Sequence, residues 1–496
     1  MAIPAETFFL SGEQETTLQQ QIQQIVSEAI LSGRCLAGEK MPSTRHLAEH
    51  LGVARITVTN AYTELVASEY LTSRGRSGFF VAETAPQRPI LAITERRSSA
   101  QIDWARKISQ KVSDALPIVR PANWRDYKFP FIYGQSDARL FDHRNWRACA
   151  LKAVGRKDFD TLATDHYERD DPMLLEFILR QILPRRGITA RPEEILITMG
   201  AQNALWMTAQ LLLTQRRKAV MENPCYPGLR HILRQSRCTL DLVDVDQDGL
   251  PPERIPQDAD VVYTTPSHHC PSNATMPLAR RRALLDRAER DDFIIVEDDY
   301  EFEMSFLKSP SPALKSLDRS GSVVYMGSFS KSIFPGLRLG FIVAPEPFIS
   351  EARALRSMVL RHPPSHMQRT TAYFLSLGHF DAQITRMARS YRARRALMEQ
   401  SLRQHGLTPA APETFGGSSF WMKAPDLVDT SKLAMDLRQH SVLIEPGEAF
   451  FAAGDESRSY YRLAYSSIAS ARIEEGVALI ARVMEDHLGA PLPDRE

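Results

Sequence analysis

The first eighty residues contain three short stretches in which apolar residues recur at helical spacing. Between 18 and 30 the apolar positions fall every three to four residues, as on one face of a helix. Ser43 precedes a second such stretch and is a predicted N-cap, and Gly52 separates it from a third stretch over 58–66. Two short helices joined by a glycine-containing turn are typical of a helix-turn-helix motif.

Residues 70–81 predict two short strands around a glycine-rich tip, which would extend the motif with a wing. The residues that begin a recognition helix are those that reach base edges, and arginine can bond guanine through two hydrogen bonds. A solvated basic face on a small helical domain is the alternative interpretation. The candidate DNA-binding residues are Arg45, Arg55, Thr57, Thr59, Arg74, Arg76 and Gly78.

Residues 83–126 lack a sustained apolar pattern and combine prolines with charged residues. The stretch 100–116 is compatible with one short helix. We therefore interpret this part of the chain as a linker with a single helical piece.

Beyond Lys128 the pattern changes to short runs rich in β-branched residues, separated by helical stretches. This alternation predicts an α/β domain built on a mostly parallel sheet with helices on both faces. Ligands bind at the carboxyl ends of the strands in such sheets. The predicted strands are 195–198, 219–221, 261–263, 293–296 and 323–326.

Polar residues follow several of these strands at the position where a ligand would bind. A lysine can form a Schiff base with an aldehyde cofactor, and a carboxylate can pair with a protonated pyridine nitrogen. Hydroxyls, an arginine and the N–H groups at a helix start can bind a phosphate. Each residue alone is compatible with a purely structural role, but together they predict a pyridoxal 5'-phosphate site. The residues are Gly200, Ala201, Gln202, Tyr226, a carboxylate among Glu297, Asp298 and Asp299, and Tyr300, Ser328, Ser330, Lys331 and Arg338.

Length and composition limit the remaining possibilities. A chain of 496 residues predicts at least two domains, and a formal net charge of +1 excludes a polycation, so nucleic-acid binding requires a local basic patch. Five scattered cysteines without a CxxC pair argue against a disulfide framework or a zinc site, and no metal site is expected. We see no signal peptide or membrane-spanning run, and expect a cytoplasmic protein.

The segment MPSTRHLAEHLGVARITVTNAYTELVASEYLTSRGRSGFFVA resembles the winged helix-turn-helix of GntR-type regulators over residues 17–82. The resemblance departs at Ala54, where that family usually has serine. Losing such a cap costs on the order of 1 kcal/mol. The departure leaves the residues expected to contact bases in place.

The rest of the chain, over residues of roughly 128–485, resembles a fold-type-I class I aminotransferase, with a large domain and a smaller α+β C-terminal domain. The motifs GSFSKSIFPGLRLGF, VEDDY and YYRLAYSS carry this resemblance. It implies that Lys331 is the Schiff-base lysine and that Asp298, rather than Asp299, pairs with the pyridine nitrogen. It also implies that Tyr300 bonds the phenol oxygen. Two further roles are implied by the resemblance, a clamp on the carboxylate of an amino acid for Arg462 and a contact with the neighbouring subunit's phosphate for Tyr167.

The loop TPSHHCPSNATM departs from the aminotransferase pattern Asn-Pro-x-Gly. Cys270 precedes the proline, and Asn273 stands where glycine is expected, a position at which asparagine tolerates a left-handed backbone. We expect His268 to take over the contact of the missing asparagine with the cofactor. Cys270 is interpreted either as a small buried apolar residue, which we favour, or as a residue that faces the effector.

A GntR-type domain followed by an aminotransferase-like domain is the architecture of MocR/GabR-type transcription regulators. The predicted domains are 12–82 (DNA binding), 83–126 (linker) and 127–490 (cofactor and effector binding). The resemblance implies a head-to-tail homodimer, an operator with paired half-sites, and an amine or amino acid effector sensed through an external aldimine formed in place of Lys331. A working aminotransferase with an accessory DNA-binding domain is the alternative, although we expect no efficient turnover. A regulator that has lost the cofactor is hard to reconcile with Lys331.

Overall fold

The computed structural model describes residues 3–10, 16–86, 102–109, 112, 120–135, 137–165, 167–307, 311–410, 416–452 and 455–492. The chain divides into two compact units, 1–110 and 111–496. None of the helices within these described ranges is long and apolar enough to cross a bilayer.

The first unit is a three-helix domain with a short two-stranded sheet. The Ser43 side chain accepts a hydrogen bond from the His46 N–H and so caps the second helix, while Gly52 ends that helix with a φ of +65°. The two strands pair antiparallel, with Leu71 opposite Val81. The elements are α1 (Leu18–Leu31), α2 (Thr44–Leu51), α3 (Arg55–Ala67), β1 (Leu71–Ser73), β2 (Phe79–Val81) and α4 (Trp104–Lys107).

The predicted apolar stretches form the core of this unit, because Ile22, Leu47, Val58 and Tyr62 are all buried. The departure at Ala54 has a visible consequence: it occupies the N-cap of α3 without a side-chain hydrogen bond. Helix α4 lies within the predicted linker helix, but much of 83–126 and 100–116 lies outside the described residues.

The second unit begins with β3 (Phe129–Pro130), α5 (His143–Ala153), α6 (Phe159–Ala163) and α7 (Pro172–Phe177). Its central part comprises β4 (Ile195–Thr198), α8 (Ala201–Leu212), β5 (Lys218–Asn223), α9 (Pro227–Gln235), β6 (Thr239–Asp244), β7 (Val261–Thr264), α10 (Leu278–Asp291), β8 (Ile294–Asp299), α11 (Leu314–Leu317), β9 (Val323–Ser328), β10 (Gly340–Val343) and α12 (Glu346–Leu360). It ends with α13 (Ser365–Ser376), α14 (His379–Gln404), β11 (Thr408–Pro409), β12 (Ser419–Lys423), α15 (Thr430–Gln439), β13 (Val442–Leu443), β14 (Glu445–Pro446), β15 (Tyr460–Ala464) and α16 (Ile473–Leu488).

Seven strands form the main sheet in the order β4-β10-β9-β8-β7-β5-β6. Only β10 runs against the others, pairing antiparallel with both β4 and β9, so the predicted mostly parallel sheet is confirmed. The sheet is buried on both faces by helices, as its β-branched strands require. The carboxyl ends of β4, β5, β7, β8 and β9 therefore meet at one edge.

A second, antiparallel sheet in the order β11-β12-β15-β14 forms the centre of the smaller C-terminal part. In this sheet Glu445 on β14 lies directly opposite Arg462 on β15. Cross-strand partners of this kind have side chains on the same face. This pairing brings two buried, oppositely charged residues to the functional site.

Candidate functional site

A cavity of about 310 Å³ lies at the carboxyl edge of the main sheet. Its lining includes most of the residues that the sequence predicts for the cofactor and effector, brought together from separate parts of the chain. They are Ala201, Gln202, Tyr226, Asp298, Tyr300, Ser328, Ser330, Lys331, Arg338 and Arg462.

Lys331 follows β9 and directs its amine into this cavity. Its Nζ lies 4.1 Å from the centre of the Tyr133 ring and packs against Gly134, whose φ of +75° favours glycine. Burial lowers the pKa of Lys331 to about 8. The charge of Glu301 acts against this shift, and the cations of Arg462 and Arg120 add to it. A lysine with such a pKa is a better nucleophile at neutral pH than an exposed one.

Asp298 and Asp299 are neighbours on β8 with opposite surroundings, because successive strand residues face opposite sides. Asp299 accepts hydrogen bonds from Arg186 Nε at 2.6 Å and from the Tyr325 hydroxyl at 2.9 Å. Asp298 faces the cavity, and its buried Oδ1, like Oδ1 of Asp299, has no hydrogen-bond partner among the described residues. Burial, with Asp299 nearby, raises the pKa of Asp298 to about 7. A cationic group such as a protonated pyridine nitrogen would satisfy this carboxylate.

The start of α8 and the loop after β9 bring together groups that could bind an anion. Gly200 has a φ of +79°, and a Cβ there would lie 3.6 Å from Arg338 Cζ and 3.7 Å from Ser330 Oγ. The Oγ of Ser330 is buried without a partner in the described part of the chain. The N–H groups at the start of α8, a free hydroxyl and a guanidinium are the donors that a phosphate needs.

Two tyrosines complete the cofactor side of the cavity. The Tyr226 hydroxyl donates to Gln202 Oε1 at 3.3 Å, which places its ring between the start of α9 and the start of α8. Tyr300 follows β8, and burial raises its pKa well above the ordinary value, so its hydroxyl keeps its proton.

Arg462 lies at the other side of the cavity, between the rings of Tyr133 and Phe450, with centroids 4.1 and 4.6 Å from its Cζ. Its Nε donates to Glu445 Oε2 at 2.8 Å. Arg120 binds the other oxygen of Glu445, through Nε at 3.2 Å and Nη2 at 2.9 Å. This side of the cavity is therefore a cluster of two guanidiniums and one carboxylate.

Sequence reasoning missed Arg120, Tyr133 and Glu445. Arg120 falls in the stretch interpreted as linker, and Glu445 lies in a strand of two residues that carries no periodicity. The Tyr133 hydroxyl donates to Glu301 Oε2 at 3.1 Å, a contact across 168 positions of sequence. The local sequence pattern does not predict contacts between residues that lie so far apart in the chain.

His268 and Tyr167 do not line this cavity. Both ring nitrogens of His268 are buried without a partner within the described residues, and burial lowers its pKa, so the imidazole is neutral. The lining of the cavity therefore gives no support to the predicted contact of His268 with the cofactor. Tyr167 is 41% exposed, with the Arg361 guanidinium over its ring at 5.0 Å.

The other two residues of the altered loop lie as the sequence suggested. Asn273 has a φ of +62°, and its Nδ2 donates to the Ser419 carbonyl at 2.7 Å. Cys270 is buried and also lines the cavity, so both interpretations of this residue describe part of its surroundings. Its Sγ lies 4.0 Å from Arg462 Nη1, and burial raises its pKa to about 11, so the thiol is protonated.

In the first unit, the candidate DNA-binding residues gather around the starts of α2 and α3. Arg55 Nε donates to Thr44 Oγ1 at 3.3 Å, which joins the two helix starts. Arg45 is paired with Glu49 on the exposed face of α2, and Arg74 lies 4.6 Å over the Phe80 ring on the wing. Thr57, Thr59 and Gly78 are half-buried, and the side chain of Arg76 lies outside the described part. Sequence reasoning missed Ile56, an apolar side chain that is 64% exposed at the start of α3.

A winged helix-turn-helix unit and an aminotransferase-type unit with a lysine-containing cavity, in one chain, define a transcription regulator with an aminotransferase-like domain. Residues 18–81 match the model of the bacterial regulatory proteins of the gntR family, and residues 171–480 match that of the class I and II aminotransferases. The chain belongs to the helix-turn-helix transcriptional regulators of MocR type.

Its relatives carry the same architecture. The chain is 57% identical to the HTH-type transcriptional regulator TauR of Rhodobacter capsulatus over 488 residues, covering 98% of this chain and 100% of TauR. It is 33% identical to the probable rhizopine catabolism regulatory protein MocR of Rhizobium meliloti, over 80% of this chain and 79% of that protein. These matches favour the regulator over a working aminotransferase.

The second unit also resembles solved aminotransferases. A kynurenine aminotransferase of Pyrococcus horikoshii, in complex with PMP, matches with a TM-score of 0.69 and 24% identity, over 78% of this chain and 98% of that chain. Likenesses at this identity concern the fold. The class I and II aminotransferase family uses pyridoxal 5'-phosphate, as the sequence predicted, and the unpartnered Asp298 and Ser330 fit that cofactor.

Proposed function

We propose that this regulator senses a small amine or amino acid at the Lys331 cavity and changes its affinity for DNA in response. The observation that carries the proposal is the pairing, in one cavity, of the low-pKa amine of Lys331 with the unpartnered carboxylate of Asp298. In this proposal the aminotransferase-like domain acts as a sensor.

Pyridoxal 5'-phosphate supplies an aldehyde that condenses reversibly with a primary amine and a pyridine nitrogen that can carry a proton. Lys331 would hold the aldehyde carbon until the effector amine replaces it. Asp298 would hold the proton on the pyridine nitrogen, since its buried Oδ1 otherwise has no partner in the described chain.

The remaining cavity residues would bind and orient the cofactor. Ser328, Ser330, Arg338 and the backbone N–H groups of Ala201 and Gln202 would bind its phosphate. The Tyr300 hydroxyl would donate to the phenol oxygen, and the Tyr226 ring would lie against the pyridine. Arg462 would bind the acid group of an amino acid, because its terminal nitrogens face no carboxylate among the described residues.

On the DNA side, Arg55 and Arg45 would reach the operator from the starts of α3 and α2. Ile56 would add apolar contact beside them, since its side chain is 64% exposed and therefore accessible to DNA. A regulator of this kind would bind paired half-sites as a dimer in the cytoplasm.

A homodimer of the second unit would cover apolar side chains that are now exposed. Contiguous exposed apolar surface marks interaction sites in soluble proteins. Tyr167, exposed at 41%, would then be free to contact the partner's cofactor, as the resemblance implies. The apolar residues are Leu151, Val154, Phe159, Met358 and Val359, each more than half exposed.

The test measures cofactor and DNA on the same protein. The full-length protein with pyridoxal 5'-phosphate should absorb in the visible, and Lys331→Ala should not. An effector amine should change both the spectrum and the operator affinity in the wild type. A wild type that shows no visible absorbance after unbound cofactor is removed would exclude the sensing site.

Arg55→Ala is the matched variant for the DNA side. It should weaken operator binding by roughly 5- to 150-fold, the value of a bidentate base contact, and leave the cofactor spectrum unchanged. Equal operator affinity in wild type and variant would exclude Arg55 from the interface.

A further inference from the structure

Three charged side chains form one cluster on the wall of the Lys331 cavity. Glu445 lies between two arginines, and each carboxylate oxygen has its own guanidinium, Arg120 on Oε1 and Arg462 on Oε2. The side chains of Glu445 and Arg462 are 2% and 4% exposed, and that of Arg120 is 30% exposed. Arg120 thus reaches the cavity from its more open side.

The cluster carries one positive charge in excess. Burial by itself would raise the pKa of Glu445, but the two guanidiniums outweigh that effect and lower it, so the carboxylate is ionised. Two cations and one anion leave a net charge of +1 at a largely desolvated place. An uncompensated charge in such surroundings is costly unless a ligand neutralises it.

Both arginines also retain donors for a ligand. Arg462 pairs with Glu445 through Nε, and in the described chain its terminal nitrogens have no carboxylate partner. Arg120 uses Nε and Nη2 on one oxygen, which leaves Nη1. Both guanidiniums line the same cavity as Lys331.

We propose that Arg120 is a second residue that binds the acid group of the effector, together with Arg462, and that the cluster selects an amine bearing a single acid group. This inference rests on the proposed sensing function. An effector with one acid group brings the net charge of the cluster to zero. An amine without an acid group leaves the net charge at +1, and an amine with two acid groups changes it to −1. Glu445 is the internal anion that sets this count.

The distance between the two functional ends favours a short effector. Lys331 Nζ and Arg462 Cζ each lie 4.1 Å from the centroid of the Tyr133 ring, so they are at most 8.2 Å apart, twice that distance. The effector amine replaces the Lys331 amine while its acid group reaches the guanidiniums. An amine and an acid group separated by one or two carbons suit this span.

Ethylamine, L-alanine, β-alanine and L-aspartate provide a matched series of probes, since they share a two-carbon amine and carry zero, one, one and two carboxylates. Their dissociation constants are measured from the absorbance of the bound cofactor in the full-length protein. We expect the wild type to bind at least one of the two monoacids more tightly than ethylamine and L-aspartate.

Arg120→Met should weaken binding of that monoacid by about 10- to 100-fold, as expected for loss of a charged hydrogen bond. Its affinity for ethylamine should not fall, which separates acid binding from a merely structural role. Arg125→Met is the control, because Arg125 is an exposed arginine of the same stretch that stacks on Trp124 at 4.5 Å. Arg125→Met should bind all four probes as the wild type does.

Three results would overturn the inference. The first is an Arg120→Met protein that binds the monoacid as tightly as the wild type does. The second is an Arg120→Met protein whose affinity for ethylamine falls as much as its affinity for the monoacid. The third is a wild type that prefers ethylamine or L-aspartate. A wild type that holds the cofactor but responds to none of the four probes would instead refute the amine-sensing proposal on which the inference rests.

Glu445→Gln tests the charge count independently. Without the internal anion the cluster carries +2, so the affinity for L-aspartate relative to L-alanine should rise, by about 10-fold for one added charge contact. An unchanged ratio in a variant that still holds the cofactor would contradict the role of Glu445.

Discussion

The Lys331 amine allows the electrostatics of the cavity to be tested directly. Burial lowers the pKa of Lys331 from its ordinary 10.5 to about 8; Glu301 acts against this shift, and Arg462 and Arg120 act with it. Only the uncharged amine attacks an aldehyde. The rate at which the apoprotein captures pyridoxal 5'-phosphate should therefore rise with pH and level off above about 8.

The expected size of the effect follows from the two pKa values. At pH 7 an amine with a pKa of about 8 is roughly 10% uncharged, whereas one with a pKa of 10.5 is roughly 0.03% uncharged. Capture at pH 7 should thus be about 300-fold faster than by a lysine of ordinary pKa and equal access. Glu301→Gln removes the charge that raises the pKa, so its midpoint should fall below that of the wild type. Arg462→Met removes a cation and should move the midpoint upward.

The assay is stopped-flow absorbance of the full-length apoprotein mixed with pyridoxal 5'-phosphate across neutral and alkaline pH. Capture of the cofactor by Nα-acetyl-lysine in the same buffers corrects for the titration of the cofactor itself. A wild-type midpoint close to 10.5 would refute the role of burial. Shifts of the two variants in the same direction would refute the assignment of opposite signs to Glu301 and Arg462.

Two further predictions concern stability, and each has its own control. Ala54→Ser should supply the missing cap of α3 and stabilise the first unit by about 1 kcal/mol, seen as slower hydrogen exchange over 55–67, whereas Ser43→Ala should speed exchange in α2. Unchanged exchange in Ala54→Ser would mean that the helix start is already satisfied. Asp299→Asn should lower the stability of the second unit by about 3–5 kcal/mol, because it leaves the buried Arg186 without its anion, and the urea transition measures this. Asp298→Asn should leave the midpoint of the urea transition unchanged and weaken cofactor binding. A similar loss of stability in both variants would contradict the assignment of the two side chains to opposite faces of β8.

The strands of the main sheet could be predicted wherever an apolar run of β-branched residues is bounded by polar ones. Strands β4, β5, β7, β8 and β9 have this pattern. Strand β6 was not predicted because it is an edge strand with largely exposed side chains. Its polar alternation resembles a surface loop. Strand β10 was not predicted because it begins two residues after Arg338, in a stretch interpreted for its contacts with the cofactor.

The cofactor side of the site could be predicted for the same geometric reason. Parallel strands end at one edge, so polar residues after β4, β8 and β9 meet there whatever their separation in sequence. The acid-binding side follows no such rule. Arg120 and Glu445 are 325 positions apart, and their contact depends on how the start of the second unit passes over the small antiparallel sheet.

Arg120 and Arg462 occupy different places in the chain, so binding of an acid group by each would have a different effect on the protein. Arg462 lies on β15, within the small sheet, so an acid group held by it alone acts inside the domain. Arg120 precedes β3 and belongs to the segment by which the chain enters the second unit from the first. A ligand changes DNA affinity only through contacts that differ between two states of the protein. An acid group bound by Arg120, as proposed above, would contact the connecting segment itself, and we would expect effector binding to be transmitted there.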